Sequence, residues 1–191
     1  SMIIPSLFIS LIISIPNEEM PLCLTVSSLP SARLFDEILK LLMSGYSWAA
    51  IQGLKDAGLH HGLLPLLDHI LDDGEASKGA NSFVKLALAN TDQRIQAGKS
   101  VSAGFLFATL LWPDLLRNWK ANSAKGMANI PALHDAMDDT IAAQSSGMTI
   151  QRRFESDMRE IWSMQPRFER RVGRYPFRLI ESPRFRAGYD F

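Results

Sequence analysis

Apolar residues recur along this chain at the three- and four-residue spacing that is typical of amphipathic helices. The first stripe, which includes Leu34, Ile38 and Leu42, predicts a helix over residues 30–43. Further helices are predicted, in chain order, over residues 48–57, 63–71, 82–96, 104–112, 113–121, 131–144 and 154–165. They are followed by a short piece over 176–181 and a last turn over 184–191. No run alternates apolar and polar residues as a β-strand does. The predicted class is therefore all-α, an irregular array of about seven to nine helices.

A few residues set the predicted ends of these helices. Ser102 is a plausible N-cap for residues 104–112, whose very apolar composition predicts the most buried helix. Pro113 is expected to break this helix or to start the next one. The Ser-, Asn- and Gly-rich stretch 122–129 is the best candidate for an internal hinge. Pro166 is expected to end or kink the helix that precedes it.

The N-terminal segment differs from the rest. Residues 3–15 form an apolar run that is interrupted by serines and a proline and is too short to cross a bilayer as a helix. It lacks the features of a signal or transit peptide. We expect it to lie against the body or against a neighbouring chain, and so to support self-association. Cys23 is the one cysteine, which suits a reducing compartment, and a cytoplasmic location is expected.

Charge is distributed unevenly over the 191 residues. The formal net charge is zero, yet residues 1–150 carry an excess of four acidic groups and residues 151–191 an excess of four basic ones. The basic groups of this second stretch are ten arginines and no lysine, interleaved with aromatic residues. A guanidinium binds phosphate bidentately, and aromatic rings can stack on unpaired bases. This composition favours RNA binding.

A second interpretation of the same arginines is open. Arg153 precedes Asp157 by four residues, and Glu155 precedes Arg159 by four, so these side chains are spaced for ion pairs on a helix surface. Aromatic residues at helical spacing, such as Phe154 and Trp162, are more typical of a core than of a base-stacking surface.

Three motifs in the chain resemble one known family. The C-terminal motif is MREIW.MQPRFERR.GR.PFRL.E.PRFRA.YDF, and two upstream motifs are PSARLFDEILKLLMSG at residues 30–45 and ALANTDQRIQAGKSV.AGFLFATLLWP at residues 87–113. Together they are similar to the C-terminal part of bacterial-type poly(A) polymerases, which belong to a nucleotidyltransferase family that includes the CCA-adding enzymes. The resemblance covers residues 29–191, whereas residues 1–28 form an unmatched apolar segment.

The resemblance implies a helical neck and an RNA-binding body. Full-length relatives add AMP from ATP to RNA 3′ ends without a template, and they bind Mg²⁺ and ATP in a catalytic head whose motifs are absent from this sequence. We therefore expect this chain to hold no catalytic residue, metal or cofactor and to be inactive alone. The preference for poly(A) over CCA addition rests on the resemblance only.

The expected partner is the single-stranded 3′ end of RNA, bound without regard to sequence. Arg33 lies on the helix that resembles the neck, and the other candidates lie in residues 151–191, which we call the arginine-rich segment. The candidate RNA-binding residues are Arg33, Arg152, Arg153, Arg167, Arg170, Arg171, Arg174, Arg178, Arg184 and Arg186.

Two other functions are consistent with parts of the sequence. The chain could be a helical protein–protein interaction module whose arginines form ion pairs. The dipeptide His134-Asp135, with His60, His61 and His69 upstream, suggests a metal phosphohydrolase of the HD type. Against this, the upstream histidines are far away in sequence, and the only nearby downstream carboxylates, Asp138 and Asp139, are one helical turn on. Residues 90–94 place Asn and Asp in a predicted helix, which indicates a hydrogen-bonded structural network around Arg94.

Overall fold

The computed structural model of the chain describes residues 31–56, 78–169 and 172–191. These residues form eight helices and no β-strand, which confirms the all-α class. The helices are α1 (Ser31–Leu42), α2 (Ser47–Asp56), α3 (Lys78–Gln96), α4 (Ala103–Ala124), α5 (Asn129–Ser145), α6 (Arg152–Phe168), α7 (Tyr175–Ile180) and α8 (Phe185–Asp190). The predicted helix over 63–71 lies outside the described residues.

Helix α4 is the centre of the core. It packs most extensively against α5 and α6 and also contacts α3. Its buried residues include an unbroken run from Leu106 to Leu111, which confirms that this apolar stretch is the most buried part of the fold. Trp162 of α6 is 0% exposed, and its indole Nε1 donates a hydrogen bond to the Ala108 carbonyl at 3.1 Å. This bond satisfies the one polar group of a large buried side chain.

Pro113 does not break α4, contrary to expectation. The helix continues through the proline to Ala124. A proline inside a helix removes one backbone hydrogen bond and costs about 3 kcal/mol. Buried residues on both sides of it, Leu111 and Leu115, hold the two halves in one core, and we attribute the continuity to their burial. The predicted hinge over 122–129 is consequently only a short turn, residues 125–128, with Gly126 at a φ of 87°.

Pro166 does not end α6 either. The helix runs to Phe168, beyond the proline, and it begins at Arg152, two residues before the predicted start. Met164 is buried next to the proline, so tertiary packing again overrides the local signal.

One glycine allows α4 and α6 to approach closely. A Cβ atom on Gly104 would lie 2.5 Å from the Cβ atom of Asp157, a separation that real side chains do not adopt. Because this contact lies at the start of α4 and near the start of α6, it sets the crossing of the two helices there.

The hydrogen bonds made near residues 90–94 in the described part of the chain hold the neighbouring helix α2, and not the Arg94 side chain as predicted. The Asp92 Oδ1 atom accepts a hydrogen bond from the Ser47 backbone N–H at 2.9 Å, at the start of α2. The Gln96 Nε2 atom donates to the Gly45 carbonyl at 2.6 Å. Arg94 is exposed and takes no part in these bonds. Among the helices of the described part, none is both long and apolar enough to span a membrane.

Candidate nucleic-acid interface

The end of the chain is clamped onto α6. The Gln165 side chain donates a hydrogen bond to the Gly188 carbonyl at 3.0 Å, and the Ser182 hydroxyl donates to the Glu160 carboxylate at 2.6 Å. Phe191 packs its ring edge-on against Trp112 with the ring centroids 5.0 Å apart. We call this set of contacts, which join residues 182–191 to α6 and to Trp112 of α4, the C-terminal clamp. It places the arginine-rich segment in a fixed position on the body.

Three of the arginines are held by carboxylates. Arg159 pairs with Asp138 of α5 at 2.7 Å. Arg184 pairs with Asp157 at 2.6 Å as part of the C-terminal clamp. The third pair lies within α8, between Arg186 and Asp190, also at 2.6 Å.

The ion pairs expected on the α6 surface are not the ones that form. Asp157 pairs with Arg184 instead of Arg153, and Arg159 pairs with Asp138 instead of Glu155. Both observed pairs join α6 to another part of the chain, which ion-pair spacing within one helix does not reveal.

Five other candidate arginines are exposed and have no carboxylate partner among the described residues. We call them the free arginines: Arg152, Arg153, Arg167, Arg174 and Arg178. The guanidinium of Arg153 lies over the ring of Phe154, 4.4 Å from its centroid, and this contact orients a cation without neutralising it.

The free arginines of α6 share one side of the helix. At 3.6 residues per turn, Arg152, Arg153 and Arg167 fall within a sector of about 100°. The buried residues Met158 and Ile161 lie on the other side. Since all three arginines are exposed, α6 presents its apolar side to the core and a cationic side to solvent.

Arg174 and Arg178 form the second group of free arginines. They are one helical turn apart, and the Arg178 N–H donates to the Arg174 carbonyl at 3.3 Å. Gly173 precedes them with a φ of 74°, a conformation that glycine adopts without strain, so the chain can turn between α6 and α7. We call residues 167–169 and 172–180 the α6–α7 corner.

The aromatic residues divide in a similar way. Trp162 is buried and Phe154 stacks on Phe35 of α1, so both serve the core, as their helical spacing suggested. In contrast, Phe177 is 68% exposed, and Tyr189 is exposed at the edge of a ring cluster that it forms with Phe185.

Three of the predicted site residues cannot be placed by their side chains. Arg170 and Arg171 lie outside the described residues, between α6 and α7. Arg33 belongs to α1, but its side chain is also outside the described set. Their role in RNA binding stays a prediction.

The residues suggested for a metal site do not form one in the described part of the chain. His134 and Asp135 are exposed neighbours on α5. Over the described ranges, no three His, Cys, Asp or Glu side chains are grouped so that they could hold a metal ion. His60, His61 and His69 fall outside these ranges.

The described residues thus form an all-helical body with a fixed, arginine-rich surface, which is the architecture expected of a nucleic-acid-binding module. Two family models match the chain: "Probable RNA and SrmB- binding site of polymerase A" over residues 22–71, and "Polymerase A arginine-rich C-terminus" over residues 125–191. Together they cover more than half of the sequence, and the chain belongs to the poly(A) polymerase family.

Similar proteins give the same family. The chain is 33% identical over 167 residues to poly(A) polymerase I of Salmonella typhimurium and to that of Escherichia coli O157:H7, and 32% identical over 166 residues to that of Haemophilus influenzae. Each match covers 86% of this chain and 36% of the relative. The chain therefore spans about a third of the length of these enzymes and corresponds to their RNA-binding region. This correspondence favours neither the interaction module nor the phosphohydrolase.

Sequence reasoning gave little weight to one region that the family description names. The family model whose description names RNA covers residues 22–71, where Arg33 is the one predicted RNA-binding residue. This region has no arginine-rich run that would have drawn attention to it. In the described part of it, Trp48 is half-buried under the ammonium group of Lys85, which lies 5.7 Å from the ring centroid.

Proposed function

We propose that this chain is the RNA-holding part of a poly(A) polymerase and binds single-stranded RNA through its phosphate backbone. The observation that carries the proposal is the set of five exposed arginines with no carboxylate partner among the described residues. Because their charge is not neutralised within the chain, these arginines can pair with the phosphates of a polyanion. Each phosphate contact releases condensed counterions.

The proposed binding is largely independent of sequence. A guanidinium that contacts phosphate reads no base identity. Trp162 and the stacked Phe154 are engaged in the body. The exposed rings of Phe177 and Tyr189 would not read sequence either, because every base offers a π-face on which a ring can stack. A sequence-independent grip suits an enzyme that extends RNA ends without a template.

In the full-length protein, we propose that this part holds the RNA 3′ end while a catalytic head adds AMP from ATP with Mg²⁺. The 191-residue chain itself is proposed to need no cofactor and to extend no primer. We further propose a cytoplasmic protein in which the apolar run at residues 3–15 supports self-association. Sedimentation of the chain with and without this run measures that last point, and equal masses would contradict it.

The main test is a titration of the chain with two end-labelled RNAs of about 15 nucleotides, one of adenosines only and one of mixed sequence. We expect dissociation constants that agree within about threefold and a log–log salt slope of about −2 to −4, since each contact contributes about −0.7. Strong discrimination between the two RNAs, or binding that ignores salt, would contradict the proposal.

A second arm tests preference for the 3′ end. The same mixed-sequence RNA is compared in linear and in circularised form. Tighter binding of the linear form is expected if the end itself is held. Equal affinity would mean that the body holds internal RNA and that the end is selected elsewhere in the full-length protein.

A further inference from the structure

A cleft of about 1000 Å³ lies beside the C-terminal clamp. It is bounded by the end of α3, the turn between α3 and α4, the start of α4, Phe154 of α6, and α8. Its volume is at the upper end of the range of small-molecule sites. Two of the three parts of the chain that form it, Phe154 and residues 183–190, belong to the arginine-rich segment, whereas the third, residues 87–105, lies far upstream.

The lining of the cleft is cationic. Arg94, Lys99, Arg184 and Arg186 line it, and Asp190 is its one lining carboxylate. Asp190 pairs with Arg186, and Arg184 is paired from outside the cleft by Asp157. Two positive charges, those of Arg94 and Lys99, therefore remain without a carboxylate partner in the described part of the chain.

A structured turn holds these two residues together. Helix α3 ends with hydrogen bonds from the Gly98 N–H to the Ile95 carbonyl and from the Lys99 N–H to the Arg94 carbonyl, each at 2.9 Å. Gly98 has a φ of 70°. This pattern is a Schellman motif, which ends helices in a fixed geometry. The Lys99-to-Arg94 bond ties the backbones of the two cationic residues directly to each other.

The aromatic residues of the cleft are poorly placed to stack on a base. One face of Phe154 is covered by the Arg153 guanidinium at 4.4 Å. Phe105 meets the Phe191 ring edge-on, with the centroids 6.1 Å apart. The remaining lining mixes small apolar residues with polar side chains that include Asn90, Ser100 and Ser102. These polar side chains suit phosphate oxygens and ribose hydroxyls.

We propose that this cleft is a second contact site for the sugar–phosphate backbone of RNA, in which Arg94 and Lys99 bind phosphate. The inference rests on the proposed function and adds two residues outside the arginine-rich segment. The cleft adjoins the start of α6, near Arg153, whereas Arg167 lies about 21 Å further along that helix at 1.5 Å per residue. At 3.4 Å per nucleotide of a stacked strand, one RNA of about six nucleotides or more reaches both places.

The test replaces both cations in the full 191-residue chain. The variant Arg94→Ala/Lys99→Ala is titrated with the mixed-sequence RNA of about 15 nucleotides over a salt series. Loss of two phosphate contacts should reduce the magnitude of the log–log slope by about 1.4. If the variant and the wild type bind equally at about 1 M salt, the variant then binds RNA about 25-fold more weakly than the wild type at about 0.1 M salt.

The matched control is Lys120→Ala/Lys125→Ala, which removes the same charge near the end of α4. Lys120 is exposed and lies about 26 Å along α4 from Ala103, which lines the cleft. This variant should retain the wild-type slope. A charge-conserving variant, Arg94→Lys/Lys99→Arg, should keep most of the affinity, and thermal melting of each variant shows whether the body remains folded.

The outcomes separate this inference from the proposed function. If the wild type binds RNA and the cleft variant keeps the wild-type slope while folded, the cleft is not a contact site and the proposed function stands. Equal losses in the cleft variant and the control would mean that only overall charge matters, which also overturns the inference. If the wild type does not bind RNA at all, the proposed function itself fails.

Discussion

The C-terminal clamp and the α6–α7 corner have similar amino-acid compositions and different roles. In the clamp, Arg184 pairs with Asp157, and the neighbouring core contains Trp162 at 0% exposure. In the corner, Arg174 and Arg178 are exposed without a carboxylate partner among the described residues, and Phe177 is 68% exposed. Arginine and aromatic content therefore does not identify an RNA-binding surface. We expect the position of the carboxylates around each arginine to identify it instead.

The carboxylates that pair with arginines of the segment are distant from them in sequence. Arg159 takes Asp138 from the preceding helix, and Arg184 takes Asp157 from one turn into α6. Ion-pair reasoning based on four-residue spacing finds neither. Each of these two ion pairs joins α6 to another part of the chain, while the free arginines have no carboxylate partner among the described residues.

The largest expected difference between the two regions is in stability. Trp162→Ala should lower the free energy of unfolding by about 3–5 kcal/mol, because it removes a fully buried ring and its hydrogen bond. Phe177→Ala in the corner should change it by less than about 0.5 kcal/mol. Urea unfolding followed by circular dichroism measures both. Similar losses in the two variants would mean that the corner is part of the core.

The core was well predicted wherever periodicity was the dominant signal. The helices at residues 30–43 and 131–144 were placed within about two residues, and Ser102 is the N-cap of α4. The errors fall at Pro113 and Pro166, which were expected to interrupt helices and do not. Local propensity predicted a break, and burial outweighed it: Leu111 and Leu115 are buried on the two sides of Pro113, and Met164 is buried before Pro166.

An intermediate loss of stability is expected when either of two glycines that face α6 is replaced by alanine. Gly104→Ala should cost about 1–3 kcal/mol, because its Cβ atom would meet the Cβ atom of Asp157 and neither can move without shifting a helix. At Gly188 the new atom would meet the flexible end of Met164, 3.0 Å away. There, the better helix propensity of alanine offsets part of the contact, so a change within about 1 kcal/mol is expected.

Thermal unfolding of the two glycine variants compares a rigid contact with a soft one. The variants differ in position but not in the atoms added, so each is the control for the other. If Gly188→Ala were the more damaging change, the clamp rather than the crossing of α4 and α6 would hold the segment in place.

The candidate site was only partly predictable. Exposure of Arg152, Arg167, Arg174 and Arg178 follows from their position off the apolar stripe or in short polar pieces. The pairing of Arg184 depends on the tertiary fold. The cleft beside Arg94 could not be predicted from the sequence for the same reason, because three separate parts of the chain form it.

We expect the free arginines to bind RNA and the arginines that pair with carboxylates not to bind it. Two double variants test it with equal loss of charge. Arg174→Ala/Arg178→Ala removes two free arginines, whereas Arg117→Ala/Arg159→Ala removes two that pair with Asp114 and Asp138 at 2.7 Å each.

The decisive measurement is the log–log salt slope of RNA affinity for these two variants and the wild type. We expect Arg174→Ala/Arg178→Ala to reduce the magnitude of the slope by about 1.4. Its free energy of unfolding should stay within about 0.5 kcal/mol of the wild-type value. Loss of the paired set should leave the slope unchanged. Equal slopes for both variants, or a larger change in the paired set, would contradict the account.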